Sequence, residues 1–514
     1  MPDAIPEPLP ALRLTPTRVL GLLGLYLALM AVEAALLAPS GRSDDIETLL
    51  LSQSLAWGYE AKNPPGFYWI AWAATHAAGP GLPVIYALRL AGVFVSLAGL
   101  YAIARRLQPD PVLAVCAGLA MLATLHFHWY LLFYLTNTTF AMALAPLAVL
   151  ALLRLRDDPG PVSYLLLGVI VGLGILARYN WAIFAVALAA AALSVPAWRA
   201  LLLRRRALIV PAVVLLMLLP HLAWVWEHRE ILRGALAEQI IGREAPPYLA
   251  RVAAGVAGLA EATVSILIAP LGLMIAAFLP AAFRPAGVAD PDRAAGLLLL
   301  RRLVLFCLGL VLLYIAAAGT SYVKPHHLFF LAFLPLWLIA RLDAAALARW
   351  RPRAFAAGLA ACAAVALIAY PIENVADARR CGACEEFQPM AGYAAALRAA
   401  GFEQGTILAL SRRQEFPAAA FRADFPRARI VSADYPAYAP PPGAVPGGCA
   451  LVWSGATEWP RLWPGAPEAP VPRLGLALPS DAILGRAEGR VHLSGRPAQG
   501  MRFALVRGGL GDCR

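Results

Sequence analysis

Two adjacent carboxylates, Asp44 and Asp45, directly follow the first long apolar run of this chain. An acidic pair is costly to hold against a membrane, and a carboxylate in a cavity can act as a general base that removes the proton of an attacking hydroxyl group. A simpler alternative is that Ser43 or Asp44 caps the N-terminus of a helix over residues 46–56. The pattern predicts Asp44 and Asp45 as catalytic candidates.

Cationic residues lie near the ends of other apolar runs, on the same side as Asp44 and Asp45. The sequence contains two lysines, Lys62, which precedes Asn63, and Lys324, which is followed by Pro and then by His326 and His327. Positive side chains neutralise the charge that develops on a departing phosphate group. We therefore expect both lysines to bind a phosphate-bearing substrate, and both histidines to hydrogen-bond its phosphate or sugar.

A third cation, Arg178, ends a glycine-rich apolar run and is followed by Tyr179 and Asn180. The alternative for such a residue is snorkelling, in which the long side chain lies in lipid while its charge reaches water. We expect phosphate binding for Arg178 and snorkelling for Arg89 and Arg243. No histidine belongs to a His-Glu-x-x-His motif, so the sequence implies no firm metal site, although a divalent metal cofactor stays open.

The chain that carries these side chains is too apolar for an ordinary soluble domain. Of its 514 residues, 61% are hydrophobic and 14% are charged, and the mean hydropathy is +0.67. Runs of about 20 apolar residues cross a bilayer as helices, because every backbone polar group must be bonded internally there. We predict about eleven transmembrane helices, and a short re-entrant or interfacial helix over residues 64–78. The predicted spans are residues 17–38, 82–104, 112–131, 132–153, 162–177, 181–197, 207–226, 256–280, 297–318, 328–340 and 355–370.

Arginines indicate the orientation. When the spans are threaded in order, clusters such as Arg105-Arg106 and Arg204–Arg206 fall on one side, which the positive-inside rule assigns to the cytoplasm. The net charge of +12 is then mostly a topology signal, and no interleaving of aromatic and basic residues supports a nucleic-acid partner. We predict a multi-pass bacterial inner-membrane protein whose active face and C-terminal domain are periplasmic.

The composition changes at Ile372, where the long apolar runs give way to proline, glycine and charge. We predict a transmembrane domain over residues 1–371, with an outward loop over 39–82, and a soluble domain over 372–514. Short strands are predicted at 406–410, 428–432, 450–454 and 501–507, with a helix at 415–424. The fold class is therefore an all-α polytopic membrane domain with a small C-terminal α/β domain.

Four cysteines, Cys381, Cys384, Cys449 and Cys513, lie in the C-terminal segment. An even number in an oxidising compartment indicates two disulfides, whose pairing the sequence leaves open. A redox pair or half of a zinc site are the alternatives for the first two cysteines.

The order of these motifs resembles the family 39 glycosyltransferases of the membrane-embedded GT-C class, which includes protein O-mannosyltransferases, lipid A aminoarabinose transferases and a bacterial lipopolysaccharide-type branch. The resemblance rests on the acidic pair, the Pro-Pro-aromatic stretch 64–69, the end of the glycine-rich run at Arg178 and the Lys324-Pro-His-His run. It implies a GT-C-like fold.

The resemblance also implies roles. Asp44 matches the family's essential carboxylate and Asp45 the acidic position beside it, whereas Asn137 stands where many members have Asp or His. A second catalytic acid or metal ligand from that loop is therefore not expected. The substrate-binding candidates are Lys62, Asn63, Tyr68, Asn137, Arg178, Tyr179, Asn180, Lys324, His326 and His327.

The activity that the resemblance implies is an inverting sugar transfer from a polyprenyl-phosphate carrier to an envelope acceptor at the outer face of the inner membrane. The acceptor is lipid A, lipopolysaccharide core, another glycan or a protein, since pocket shape and hydrogen bonds set this choice. Two alternatives are a transporter of a lipid-linked substrate and a non-catalytic lipid-binding assembly subunit. A transporter would place ionisable residues near mid-membrane, whereas this chain concentrates them at one face.

Overall fold

A computed structural model of the chain describes residues 15–124, 128, 136–230, 233, 246–279, 290–412, 415–432, 434–435, 437–441, 447–456, 480–507 and 513. These residues form a helical membrane domain followed by a smaller domain with one β-sheet. The helices up to the C-terminal domain are α1 (Pro16–Leu37), α2 (Ser43–Leu51), α3 (Gly66–Ala78), α4 (Leu82–Leu107), α5 (Pro111–Leu119), α6 (Thr136–Asp157), α7 (Pro161–Ala177), α8 (Trp181–Ser194), α9 (Pro196–Leu202), α10 (Ile209–Glu227), α11 (Tyr248–Phe278), α12 (Pro291–Ala318), α13 (Phe333–Ala340) and α14 (Trp350–Arg380).

The chain is a multi-pass membrane protein. Within the described residues, 7 helices are long and apolar enough to cross a membrane: α1, α4, α6, α10 with its preceding 3-10 turn, α11, α12 and α14. Helices α8 and α9 are bent by 111° relative to each other and make an eighth span if they are counted together. Pro196, at the start of α9, explains this break because it lacks a backbone N–H to donate.

The predicted count of eleven spans is not confirmed. The apolar segments Pro111–Ala123, Pro161–Ala177 and Phe329–Ala340 are helical but shorter than the 18 residues expected of a full span. Part of the predicted spans 112–131 and 132–153 lies outside the described residues. Hydropathy alone does not distinguish a short helix buried among other helices from a helix that crosses the bilayer.

The loop after α1 contains two short helices. The predicted helix over 46–56 begins earlier and ends earlier, as α2, and its N-cap is Arg42 rather than Ser43 or Asp44. Its capping bond runs from the backbone N–H of Arg42 to Oδ2 of Asp45, 3.3 Å away, so the acidic residue at the third helical position supplies the acceptor. The segment predicted as re-entrant or interfacial is α3, with 13 residues.

The C-terminal domain begins later than predicted from composition. Helix α14 continues through Pro371 and ends at Arg380. The domain then contains α15 (Met390–Ala399) and the strands β1 (Gly405–Ala409), β2 (Arg429–Ser432), β3 (Gly448–Ser454), β4 (Ile483–Ala487) and β5 (Met501–Val506). The strand order is β2-β1-β3-β5-β4, with β1 parallel to β2 and β3, and β5 antiparallel to β3 and β4.

The four predicted strands are confirmed, and β4 was missed. Strand β4 lies at the sheet edge with one of its five residues buried, and Gly485 and Arg486 interrupt its apolar residues. The predicted helix over 415–424 is wrong: a 3-10 turn, Ala418–Arg422, follows Pro417. Both predicted disulfides form, as Cys381–Cys384 and Cys449–Cys513.

Candidate active site

The two candidate catalytic carboxylates have different surroundings. Asp44 is the one residue of α2 that is not buried. Asp45 is fully buried, and its Oδ1 accepts a hydrogen bond of 2.9 Å from Nη1 of Arg89, which is also fully buried. The predicted snorkelling of Arg89 is therefore wrong: the guanidinium forms an internal ion pair that ties α4 to α2. The structure places Asp45 in this pair, and leaves Asp44 as the partly exposed carboxylate of the helix.

Asp44 faces the cationic end of α7. Arg178 caps this helix, and its Nη1 donates a hydrogen bond of 2.5 Å to Oγ1 of Thr138 at the start of α6. Burial lowers the pKa of Arg178, and the charge of Asp44 is the strongest electrostatic effect that opposes this shift. The carboxylate and the guanidinium are therefore near enough to interact electrostatically.

Glycine at position 66 brings the Lys62 loop close to this point. A Cβ atom on Gly66 would lie 2.7 Å from the backbone oxygen of Leu176, which is closer than real Cβ contacts allow. Only glycine lets α3 begin against the end of α7. The Pro-Pro-Gly motif thus holds the loop before α3 beside Arg178.

Lys62 forms an ion pair that the sequence reasoning missed. Its Nζ lies 3.8 Å from Oε2 of Glu47, a buried carboxylate on α2. Asp44 and Glu47 are three residues apart and so lie on neighbouring positions of one helix. This spacing was the available signal for Glu47.

A hydrogen-bonded group surrounds Tyr68 beneath Lys62. The Tyr68 hydroxyl lies 2.8 Å from Oε1 of Glu47 and 2.9 Å from Oε1 of Glu60. Asn63 donates to both carboxylates, at 3.3 Å and 2.7 Å, and the amide of Asn137 donates to the Tyr68 hydroxyl at 3.0 Å. Asn63 and Tyr68 are therefore buried partners of two glutamates, and Asn137 joins this group through Tyr68.

The Lys324 segment closes the other side of the site. Residues Pro325–His327 form a 3-10 turn, and the backbone oxygen of His327 accepts a hydrogen bond of 3.4 Å from Asn180. Burial and the charges of Arg178 and Lys324 lower the pKa of His327 to about 3. Burial likewise lowers the pKa of His326, which His327 and nearby cations lower further. Both imidazoles are therefore neutral at ordinary pH and serve as hydrogen-bonding groups.

Lys62 and Arg178 border a cavity of about 290 Å³ whose other walls are mostly apolar. Its polar end contains Lys62, Arg178, Tyr179, Asn180 and His327. Its apolar walls come from α8, α12 and the segment before α13, and include Ile183, Phe184, Val311, Phe329 and Phe330. A cavity of this kind suits an amphiphile with an anionic head and a hydrocarbon chain. Tyr179 is held in place by a hydrogen bond of 2.9 Å between its hydroxyl and Nε2 of His221.

Within the described part of the chain, no group of three or more His, Cys, Asp or Glu side chains could hold a metal ion. Arg243, the other residue predicted to snorkel, lies outside the described residues. Cys381 and Cys384 form a disulfide with each other.

Comparison with known proteins decides what kind of protein has this cavity. The family model for dolichyl-phosphate-mannose-protein mannosyltransferases matches residues 62–224. The lipopolysaccharide core galacturonosyltransferase RgtB of Rhizobium johnstonii is 29% identical over 408 residues, which cover 77% of this chain and 79% of the relative. RgtA of the same organism, also a lipopolysaccharide core galacturonosyltransferase, is 27% identical over 84% of this chain and 86% of the relative. The chain is a membrane glycosyltransferase.

The fold of this glycosyltransferase agrees with that assignment. The crystal structure of ArnT from Cupriavidus metallidurans bound to undecaprenyl phosphate matches it with a TM-score of 0.54, over 94% of this chain and 98% of the ArnT chain, at 12% identity. The ArnT-like arrangement includes the C-terminal domain as well as the spans. The predicted resemblance to the bacterial branch of family 39 is confirmed.

Proposed function

We propose that this glycosyltransferase transfers a galacturonic acid residue from a polyprenyl-phosphate carrier to the core of lipopolysaccharide, at the periplasmic face of the inner membrane. The names of the two relatives support the sugar and the acceptor. The single observation that supports the chemistry is that the charge of Asp44 acts on Arg178, which together with Lys62 lines a cavity with mostly apolar walls.

In the proposed reaction, Asp44 removes the proton of the acceptor hydroxyl group while the oxygen of that hydroxyl group bonds to the anomeric carbon of the sugar. The bond between that carbon and the phosphate oxygen breaks at the same time, and polyprenyl phosphate leaves with the bonding electron pair. Attack from the face opposite the phosphate inverts the anomeric configuration. A carboxylate on one side of the reacting carbon and cations on the other are what this geometry requires.

Lys62, Arg178 and Lys324 neutralise the charge that grows on the departing phosphate. Neutral His326 and His327 add hydrogen bonds without adding charge. The carrier chain lies along the apolar wall between α8 and α12, where Phe184 and Val311 line the cavity. Burial of this chain anchors the donor and leaves its head group at the level of Asp44.

The test is sugar transfer by the purified protein in lipid vesicles. The donors are two polyprenyl-phosphate sugars that differ only in the oxidation state of C6, one hexuronic acid and one hexose, and the acceptor is purified lipopolysaccharide core. Mass spectrometry should detect one added hexuronic acid residue and no added hexose. Transfer of hexose alone would contradict the sugar assignment, and no transfer from either donor would contradict the proposed function. A parallel reaction with a chelator tests whether a divalent metal is required.

A further inference from the structure

The helix that presents Asp44 is held at both ends by residues of the C-terminal segment. Helix α2 has 9 residues, and a helix of this length is marginal on its own because nucleation is costly and few hydrogen bonds follow. Its position therefore depends on what contacts it. At both ends of the helix, charged side chains from the chain beyond α14 form such contacts.

Glu385 contacts the N-terminus of α2. Its Oε1 accepts a hydrogen bond of 2.5 Å from the backbone N–H of Ser43, the first residue of the helix. The neighbouring Glu386 forms a buried ion pair of 3.2 Å with Arg42, the N-cap residue. Carboxylates at this end satisfy free N–H groups and interact favourably with the helix dipole.

Arg422 contacts the opposite end of the same helix. Its Nη1 donates to the backbone oxygen of Leu49 at 2.5 Å and to Oγ of Ser52 at 3.0 Å, and Arg422 is buried. A guanidinium at a helix C-terminus satisfies carbonyl groups that have no partner within the helix. The two charges thus complement the helix dipole at both ends.

Contacts between the two ends fix the rotation of the helix about its axis. The hydroxyl of Tyr435 donates to Oε2 of Glu47 at 3.1 Å. Beyond the helix, the side-chain amide of Gln53 makes two hydrogen bonds to the backbone of Ile430 in β2, of 2.8 Å and 2.7 Å. Successive side chains project about 100° apart around a helix, so a rotation of α2 by part of that angle would turn Asp44 away from Arg178.

We propose that Glu385 and Arg422 are positioning residues for sugar transfer, which clamp α2 so that Asp44 faces the cationic cavity. This inference rests on the proposed function, because it assigns Asp44 a role in the reaction. The C-terminal domain then contributes to catalysis without touching the substrate. Displacement of a reacting group by about 1 Å can cost about 100-fold in rate.

The test compares Arg422→Ala, Arg422→Lys and Glu385→Gln with the wild type in the vesicle assay. We expect Arg422→Ala to lower kcat by 10- to 100-fold with little change in KM for the donor, since the phosphate-binding cations are untouched. Lysine retains a cation that can donate to Leu49, so Arg422→Lys should recover most of the lost kcat. Glu385→Gln retains an acceptor for Ser43 but loses the charge, and should lower kcat by several-fold.

The matched control is Arg398→Ala. Arg398 is an exposed arginine of the same domain that pairs with Asp424, and its loss should leave kcat unchanged. If Arg422→Ala and Glu385→Gln keep the wild-type kcat, or if Arg398→Ala lowers kcat equally, the clamp is refuted. Should Arg422→Ala fail to fold, Glu385→Gln tests the expected loss of kcat, and Arg422→Lys is the variant expected to stay close to the wild type.

Hydrogen–deuterium exchange of residues 43–52 separates this inference from the proposed function, because it needs no substrate. The clamp predicts faster exchange of these amides in Arg422→Ala and Glu385→Gln than in Arg398→Ala. Unchanged exchange would overturn the clamp even if the wild type transfers sugar. Faster exchange in a protein that transfers no sugar would contradict the proposed function and leave α2 held as described.

Discussion

Asp44 and Asp45 are consecutive residues of one helix, yet their carboxylates have opposite surroundings. Asp44 is the residue of α2 that remains partly exposed, and it acts on Arg178, whereas Asp45 is enclosed with Arg89. A rotation of about 100° along the helix separates the two. The two carboxylates of this acidic pair therefore have different roles: Asp44 is available for chemistry, and Asp45 holds the helix that presents it.

The largest effect is expected for Asp44→Asn. Asparagine has nearly the same shape but cannot accept the acceptor's proton, and loss of a general base typically costs about 10²- to 10⁴-fold. We expect kcat to fall by this factor while the thermal unfolding temperature stays within about 2 °C, because the side chain is not buried. Asp157→Asn, which removes an exposed partner of Arg106, is the control for activity. Retained activity in Asp44→Asn would contradict the catalytic role that separates Asp44 from Asp45.

The reciprocal change, Asp45→Asn, should act on stability. It leaves the guanidinium of Arg89 buried without its counter-ion, and removal of one partner of a buried ion pair costs about 3–5 kcal/mol. Thermal unfolding in detergent measures this loss. The double variant Asp45→Asn/Arg89→Met should regain part of it, because the uncompensated charge is gone. A double variant that is less stable than Asp45→Asn would contradict this account of the pair.

Lys62→Gln should lower kcat/KM for the donor by about 100-fold. The change removes a charge at the leaving group, and loss of one such stabilising contact typically costs about 10²- to 10³-fold. The lower part of the range is expected because Arg178 and Lys324 remain. Lys62→Arg keeps the charge and should retain more activity than Lys62→Gln, as initial rates at low donor concentration will measure. Equal losses in the two variants would instead assign Lys62 a role in holding Glu47.

The smallest effect concerns acid stability. The native pKa of His327, about 3, lies below the usual value of about 6.5, so the unfolded chain binds a proton that the folded chain does not. Stability should therefore fall as the pH decreases from about 6.5 toward 3, by at most about 1.4 kcal/mol per pH unit for this residue. His327→Gln should reduce the loss of thermal stability between pH 6.5 and 5, and His76→Gln, at an exposed position on α3, should not. Identical acid sensitivity of His327→Gln and the wild type would contradict this.

The sequence predicted the membrane domain and the C-terminal sheet, and it placed Lys62, Arg178 and Lys324 on one side of the protein, where the structure has all three near His326. These features depend on local composition and on the common sidedness of short motifs. It did not predict that Asp45 and Arg89 pair with each other, since helices α2 and α4 meet only in the folded structure. The predicted count of eleven spans is not confirmed, for a related reason. Short apolar helices that pack among others have the same hydropathy as helices that cross the bilayer.

The spacing from Asp44 was a signal for Glu47, but the partners of Glu47 and the role of Arg422 could not be predicted from the sequence. Glu47 acquires its contacts from Lys62, Tyr68 and Tyr435, two of them from the outward loop and one from the C-terminal domain. Arg422 is one of 41 arginines, and only its burial against Leu49 sets it apart from those on the surface. Long-range contacts of this kind leave no periodic trace in a single sequence.

The two hydrogen bonds between Gln53 and Ile430 have a consequence for how the protein is made. Strand β2 lies at the edge of its sheet, and an uncovered edge offers backbone groups to which strands of other molecules can add. Gln53 occupies that position with one donor and one acceptor. The C-terminal domain is synthesised after the membrane portion, so this loop is already present when the sheet folds. Its docking to Ile430 keeps that part of the β2 edge from pairing with strands of other molecules.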